Sequence, residues 1–197
     1  KITEAIDWVN TLKGEGELAG KLVEKGKSKF VGHEITGKML GVIGLGAIGV
    51  AVANAAYGLN MEVMGTDPYL STMNALALSP HINIVPERDD IYKKADFITL
   101  HLPLNGDTRG MINAKSIAAM KDGVVIINNS RGELVNTADM IAALESGKVG
   151  RYITDFPTAE LIGVKNCICV PHLGASTPEA EDNCAVMAAH ELVDYIE

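Results

Sequence analysis

The chain has 197 residues, 47% of them hydrophobic, and a formal net charge of −8. This length accommodates one α/β core comfortably and two domains only tightly. The acidic balance argues against nucleic acid as a partner, and no apolar run approaches the roughly 20 residues that a membrane-spanning helix needs. The start of the chain, from Lys1 to Trp8, is amphipathic and does not resemble a signal peptide.

An apolar run, Met39–Ile43, predicts a buried strand that ends at a glycine-rich turn and is followed by a helix over 47–59. The turn, Gly44-Leu-Gly46-Ala-Ile-Gly49, has the spacing G-x-G-x-x-G. Gly44 permits a tight turn, Gly46 lets the backbone approach a pyrophosphate, and Gly49 lets the helix pack closely on the strand. Strand, turn and helix in this order predict the first half of a dinucleotide-binding βαβ unit, with the phosphates at the helix N-terminus.

A second predicted strand, over 61–65, is followed by Asp67, which lies 18 residues after Gly49 (67 − 49). An acid at about this distance accepts hydrogen bonds from the adenosine ribose hydroxyls. A carboxylate there also repels a 2′-phosphate, so this position predicts NAD rather than NADP. The alternative is that Asp67 is only a turn residue before Pro68.

Strands continue to alternate with helices along the rest of the chain. Helix start signals occur at Asn113, Thr137 and Ser176, and Pro178 suits the first position of the last helix. The alternation predicts a Rossmann-type, doubly wound parallel sheet with helices on both faces, in which ligands bind beyond the carboxyl ends of the strands. The remaining predicted strands cover 97–101, 124–128, 152–155 and 167–170.

The three cysteines are Cys167, Cys169 and Cys184. An odd count without a disulfide framework fits a reducing, cytoplasmic compartment. Cys167 and Cys169 alternate along a predicted strand, so their side chains should point the same way. A metal site needs more ligands than the neighbouring sequence supplies. We therefore interpret the pair as buried thiols and predict no metal.

Three polar residues near the ends of predicted strands could carry chemistry. Arg131 could hold a carboxylate in a bidentate pair. His172 could exchange a proton with a hydroxyl during hydride transfer, and Glu160 could support its imidazolium. Each residue has an alternative interpretation without a catalytic role. Arg131 could form a surface ion pair, and His172 and Glu160 could be ordinary loop residues.

Four segments, in this order, resemble the nucleotide-binding domain of NAD-dependent D-2-hydroxyacid dehydrogenases. They are MLGVIGLGAIG (39–49), NNSRGELVN (128–136), DFPTAE (155–160) and PHLGAST (171–177). The last segment is most similar to the D-3-phosphoglycerate dehydrogenase branch. The resemblance runs from about residue 1 to the end, and the four motifs are jointly specific.

This resemblance implies that Arg131, Glu160 and His172 form the catalytic set, with Glu160 placed 29 residues after Arg131 (160 − 131). It also implies that Asp155 binds the nicotinamide carboxamide. The usual Asp-Val-Phe is Asp155-Phe156-Pro157 here and the loop that follows is short, so the reach of Glu160 to His172 depends on how this loop is built. The implied cofactor-binding residues are Gly44, Gly46, Ala47, Ile48, Gly49, Asp67, Leu102, Pro103, Asn129, Ser130, Arg131, Asp155, His172, Gly174 and Ala175.

The implied activity is hydride transfer between NAD and a D-2-hydroxy acid, with 3-phosphoglycerate, a substrate of serine biosynthesis, expected first. The alternative is an NAD-sensing binding module that acts as a transcriptional co-regulator. Family members have a second, smaller domain for the substrate. We expect this chain, divided into 1–38 and 39–197, to lack that domain and to be inactive alone, and we expect 1–38 to contact a second subunit in a homodimer.

Overall fold

The computed structural model describes residues 1–196 and contains two compact units, Lys1–Ile35 and a second that begins at Thr36. None of the helices in this described part combines the length and the apolar character that crossing a membrane requires. The first unit has two helices, α1 (Ile2–Thr11) and α2 (Ala19–Gly26), and the rings of Trp8 and Phe30 pack 5.2 Å apart. Its contact with a second subunit stays a prediction. Short 3-10 turns cover Leu12–Gly14, Gly16–Leu18 and Lys27–Phe30.

The second unit contains a seven-stranded sheet in which every pair of neighbours is parallel. This confirms the predicted Rossmann-type fold. The strands are β1 (Met39–Ile43), β2 (Glu62–Thr66), β3 (Asn83–Ile84), β4 (Phe97–Leu100), β5 (Val124–Asn128), β6 (Val149–Thr154) and β7 (Cys167–Cys169). The helices are α3 (Ala47–Gly58), α4 (Thr72–Ala77), α5 (Arg88–Lys94), α6 (Ala114–Ala118), α7 (Thr137–Ser146) and α8 (Pro178–Ile196).

Two hydrophobic clusters cover the two faces of the sheet. Leu40 and Val42 of β1 belong to one cluster, which includes Ala53 of α3, whereas Ile43 belongs to the other. Alternate residues of a strand point to opposite faces, so this division places the clusters on opposite sides. The second cluster also contains Met140 of α7. The near-continuous apolar character of β1 follows from burial on both faces.

The strand order β3-β2-β1-β4-β5-β6-β7 reverses direction between β1 and β4. In doubly wound sheets, the connections diverge at such a point and leave a crevice beyond the carboxyl ends of the strands. The glycine-rich turn after β1 and the segment after β4 flank this crevice, because β1 and β4 are neighbours. The topology therefore places the predicted cofactor motif at the ligand-binding edge.

One predicted helix cap is shifted by one residue. We expected Thr137 to cap α7, but the side chain of Asn136 accepts the N–H of Asp139 at 3.1 Å and makes Thr137 the first helical residue. Asn113 caps α6 as expected. Pro178 begins α8, in agreement with the prediction.

Candidate functional site

The glycine-rich turn between β1 and α3 has the close packing that its sequence predicts. Gly44 has a φ of 97°, which L side chains rarely adopt, and a Cβ at this position would collide with the carbonyl oxygen of His101. A Cβ on Gly49 would collide with the carbonyl oxygen of Gly44. Gly46, the N-cap of α3, instead faces open space where its Cβ would lie. This space, beside the N–H groups that begin α3, fits a phosphate group.

Asp67 lies beside this turn, just after the end of β2. The Leu45 N–H donates to Oδ2 of Asp67 and the Tyr69 N–H donates to Oδ1, both at 2.8 Å. These bonds hold the carboxylate in the wall of a cavity of about 680 Å³, a size that suits a small-molecule ligand. The predicted residues in its lining are Gly46, Asp67, Leu102 and Pro103.

His101 also lines this cavity. The sequence places it at the ligand-binding edge, but it was not among the expected cofactor-binding residues. Burial lowers the pKa of His101 below its ordinary value. Its Nε2 lies 3.0 Å from the hydroxyl of Thr99. The signal in the sequence was a histidine at the last position of the predicted strand 97–101.

A buried asparagine shapes the turn that carries Arg131. Asn128, fully buried at the end of β5, donates from Nδ2 to the Arg131 carbonyl at 2.9 Å and to the Tyr152 hydroxyl at 3.3 Å. Its Oδ1 accepts the Ser130 N–H at 3.2 Å. The turn leaves the Arg131 side chain exposed, where its guanidinium can bind an anion. Asn128 was also missed, although an asparagine at the end of an apolar run could have signalled it.

His172 lies against Asp155 beyond the ends of β6 and β7. Nδ1 of His172 is 2.8 Å from Oδ2 of Asp155. The Asp155 side chain is only 11% exposed, whereas the His172 side chain is 60% exposed. The ring of Phe156 packs on the imidazole with a centroid distance of 4.9 Å. The histidine is therefore held by a buried carboxylate and an aromatic ring while much of it stays accessible.

The second carboxylate oxygen of Asp155 has no partner in the described residues 1–196. This atom, Oδ1, is buried, and leaving a buried acceptor unpaired costs about 1–3 kcal/mol, or more when it is charged. A ligand that brings an N–H donor would remove that cost, and the amide group of nicotinamide is such a donor. Asp155 also lines a second cavity, of about 660 Å³, together with Tyr152, Phe156 and Arg109.

Glu160 makes no ion pair with His172 within residues 1–196. Its carboxylate accepts hydrogen bonds from the Glu160 backbone N–H and from the Thr158 hydroxyl. These bonds, the backbone one having the larger effect, hold the pKa of Glu160 below its ordinary value. The side chain is fully exposed. The predicted pairing of Glu160 with His172 stays a prediction, while the observed carboxylate partner is Asp155.

The other predicted residues lie around the same edge without lining either cavity. Arg131 and Asn129 follow β5, and His172 follows β7. Ile48 is a large exposed apolar side chain in the first turn of α3. The predicted positions that line neither of the two cavities are Gly44, Ala47, Ile48, Gly49, Asn129, Ser130, Arg131, Glu160, His172, Gly174 and Ala175.

The two neighbouring cysteines point the same way, as their spacing predicts. The Sγ atoms of Cys167 and Cys169 are 3.8 Å apart on β7, and both residues are partly buried. Burial and the neighbouring thiol raise the pKa of Cys167 to about 12. Cys167 therefore stays a protonated thiol near neutral pH.

Residues 7–174 match the sequence model of the D-isomer specific 2-hydroxyacid dehydrogenase, NAD binding domain. The chain belongs to this family. Its glycine turn, the carboxylate of Asp67 and the unpaired oxygen of Asp155 fit the NAD that this domain binds.

Individual family members are similar over most of the chain. It is 36% identical to a D-3-phosphoglycerate dehydrogenase of Synechocystis sp. over 187 residues, which cover 90% of this chain and 33% of that protein. It is 37% identical to a hydroxypyruvate reductase of Blautia hydrogenotrophica over 170 residues, 83% of this chain and 52% of that protein. The NAD-complexed structure of a D-isomer specific 2-hydroxyacid dehydrogenase from Lactobacillus delbrueckii ssp. bulgaricus matches with a TM-score of 0.75 and 26% identity, over 86% of this chain and 56% of that one. The chain thus spans about half the length of these relatives, or less.

Proposed function

We propose that this chain is the NAD-binding and catalytic domain of an enzyme that transfers a hydride between NAD and a D-2-hydroxy acid. The observation that carries the proposal is the pairing of His172 with Asp155 at the carboxyl edge of an NAD-binding sheet. Arg131 follows the neighbouring strand end with an exposed guanidinium. A histidine and an exposed arginine at this edge support the proposed roles of proton acceptor and carboxylate-binding group.

Each side chain has a distinct part in the proposed reaction. Bound NAD would supply the acceptor for the hydride from C2 of the hydroxy acid. His172 removes the proton of the C2 hydroxyl at Nε2, because Nδ1 is engaged with Asp155. Arg131 binds the substrate carboxylate through two parallel hydrogen bonds. Loss of the proton and the hydride leaves a 2-oxo acid, and the reverse reaction returns both.

D-3-phosphoglycerate is the first substrate that we propose to test. The segment from Pro171 to Thr177 supports it, as does the similarity to the Synechocystis dehydrogenase. The similarity to a hydroxypyruvate reductase supports a smaller acid without a phosphate. Both substrates contain the 2-hydroxy or 2-oxo acid group that Arg131 and His172 would bind.

The test is NADH formation from D-3-phosphoglycerate, and NADH consumption with hydroxypyruvate, by the full-length enzyme of which we propose this chain to be a domain. His172→Ala should lower the rate by about 100- to 10,000-fold, the usual contribution of general acid–base catalysis, while NAD affinity measured by calorimetry stays nearly unchanged. His190→Ala, at an exposed histidine of α8, is the matched control and should keep the rate.

Glu160→Gln in the same assay tests the third residue of the predicted catalytic set. A loss comparable to that of His172→Ala would support its role, and an unchanged rate would remove it. The proposed function itself fails if His172→Ala retains most of the activity, or if calorimetry detects no NAD binding by the unmodified chain.

A further inference from the structure

Cys167 and Cys169 form a close pair of thiols on β7, the strand at the end of the sheet order. Their Sγ atoms are 3.8 Å apart, and both side chains pack against the hydrophobic cluster that contains Tyr152. Two thiols supply too few ligands for a zinc site, and within residues 1–196 no further histidine, cysteine or carboxylate completes a group that could hold a metal ion. The chemistry open to the pair is a reaction between its own two sulfur atoms.

We propose that Cys167 and Cys169 are a redox-active dithiol, which a small disulfide such as oxidised glutathione converts into an intramolecular disulfide. Oxidation disturbs the end of β7, and His172 follows that strand. The disulfide thereby provides a reversible way to switch off proton transfer by His172. This consequence, unlike the disulfide itself, rests on the proposed function.

The backbone brings a disulfide within reach, but only with a change in the strand. Residues two apart in a strand have Cα atoms about 6.6 Å apart, since each residue advances the chain by about 3.3 Å. Disulfides span Cα distances of about 4.4–6.8 Å, most often about 5.5–6 Å. Closing the bond therefore shortens β7 by roughly 1 Å.

The position of β7 at the edge of the sheet allows this change. Among the strands of the described residues 1–196, β7 pairs only with β6. A bond at the end of this pairing runs from the Val170 N–H to the Thr154 carbonyl at 3.0 Å. Shortening the strand at Cys169 strains this bond, and the contact between Asp155 and His172 lies just beyond it. The oxidation state of the pair therefore affects how His172 is held.

The two cysteines have different parts in the reaction. Burial, followed by the hydrogen bond with Cys169 and its charge, raises the pKa of Cys167 to about 12. Cys167 is therefore a poor first nucleophile, and we assign the first attack to Cys169. Its sulfur attacks the small disulfide, whose S–S bond breaks and releases one thiol.

Cys167 completes the reaction by attacking Sγ of Cys169 and releasing the second thiol. Once Cys169 is in the mixed disulfide, its hydrogen bond and charge no longer hold the proton on Cys167. The closeness of the two sulfur atoms makes this step effectively unimolecular. In total the pair loses two electrons and its two thiol protons, and the small disulfide gains both to become two thiols.

The experiment on the dithiol treats the whole chain with oxidised glutathione at about pH 8, where ordinary thiols are partly ionised, and maps its peptides by mass spectrometry. We expect the peptide with Cys167 and Cys169 to lose two hydrogen atoms and to resist iodoacetamide, and reduced glutathione to reverse both changes. Cys167→Ser should stop at a glutathione adduct on Cys169, whereas Cys169→Ser should leave Cys167 largely unmodified. Cys184→Ser, which removes the exposed third cysteine, is the matched control and should still form the disulfide.

The dithiol is overturned if this peptide keeps two thiols that iodoacetamide can label, or if the unmodified chain stops at a glutathione adduct on either cysteine. It is also overturned if Cys184→Ser prevents the reaction, since the pairing would then involve Cys184. Accumulation of the adduct in Cys169→Ser rather than in Cys167→Ser would contradict the assigned order of attack.

Hydrogen exchange and activity test the consequence for the site. In the oxidised chain the Val170 amide should exchange about 2- to 10-fold faster, the range for loss of one net hydrogen bond. In the full-length enzyme oxidised glutathione should lower the rate of NADH formation reversibly, and the double variant with Cys167→Ser and Cys169→Ser should be insensitive to it. A disulfide that leaves either the Val170 amide or the rate unchanged would overturn the coupling to His172. A reduced enzyme without dehydrogenase activity would refute the proposed function instead, while the peptide map would still decide whether the dithiol forms.

Discussion

Replacing Asn128 with alanine should destabilise the protein, because this buried side chain joins two strands and the turn that carries Arg131. The substitution removes the bonds to the Arg131 carbonyl, the Tyr152 hydroxyl and the Ser130 N–H. At about 1 kcal/mol for each bond the loss is about 3 kcal/mol. The Tyr152 hydroxyl is the partner least able to recover its bond from water, because Tyr152 is only 1% exposed.

Urea unfolding followed by circular dichroism measures this change in the free energy of unfolding, and the slope with urea concentration should stay the same. Asn129→Ala is the matched control, since Asn129 is the exposed neighbour, and it should change the free energy by less than about 0.5 kcal/mol. An Asn128→Ala protein as stable as the control would show that the three hydrogen bonds do not hold this turn.

Three further predictions concern other parts of the second unit. Gly49→Ala should weaken NAD binding measured by calorimetry, because the added Cβ would collide with the Gly44 carbonyl oxygen. Gly58→Ala, where the added Cβ would meet open space, is the control and should leave NAD binding unchanged. Equal effects of the two substitutions would refute the role of Gly49. Burial lowers the pKa of His101 from 6.5, so the unfolded chain binds this proton more readily, and stability should fall as the pH drops below 6.5 towards the lower folded-state value. His101→Asn should flatten that part of the curve of unfolding free energy against pH, and an unchanged curve would contradict the argument. Iodoacetamide followed by mass spectrometry should label the exposed Cys184 well before Cys167, whose pKa is about 12; faster labelling of Cys167 would show that its thiol is not held protonated.

The strands that bring the motifs to the carboxyl edge could be predicted from local patterns. Met39–Ile43 and Val124–Asn128 are apolar runs that end at a glycine or an asparagine, and both match the observed strands. Burial on both faces of a parallel sheet produces such runs. The edge strand Asn83–Ile84 could not be predicted, because it has two exposed residues and no periodicity.

The contact between Asp155 and His172 could not be predicted from spacing. It depends on the pairing of β6 with β7 and on the short path from Cys169 to His172, both of which are tertiary features. Both residues were singled out, but the resemblance assigned Asp155 to the cofactor and Glu160 to the histidine. Asn128 was missed for a related reason, since its hydrogen bonds link residues that only the folded sheet brings together.

The most direct test of the proposed site is a crystal structure of the chain with NAD. We expect the pyrophosphate beside Gly46, the adenosine ribose at Asp67, and the nicotinamide amide on Oδ1 of Asp155 while Oδ2 keeps its contact with Nδ1 of His172. A nicotinamide bound away from Asp155, or an imidazole that has left Asp155 for Glu160, would contradict the account.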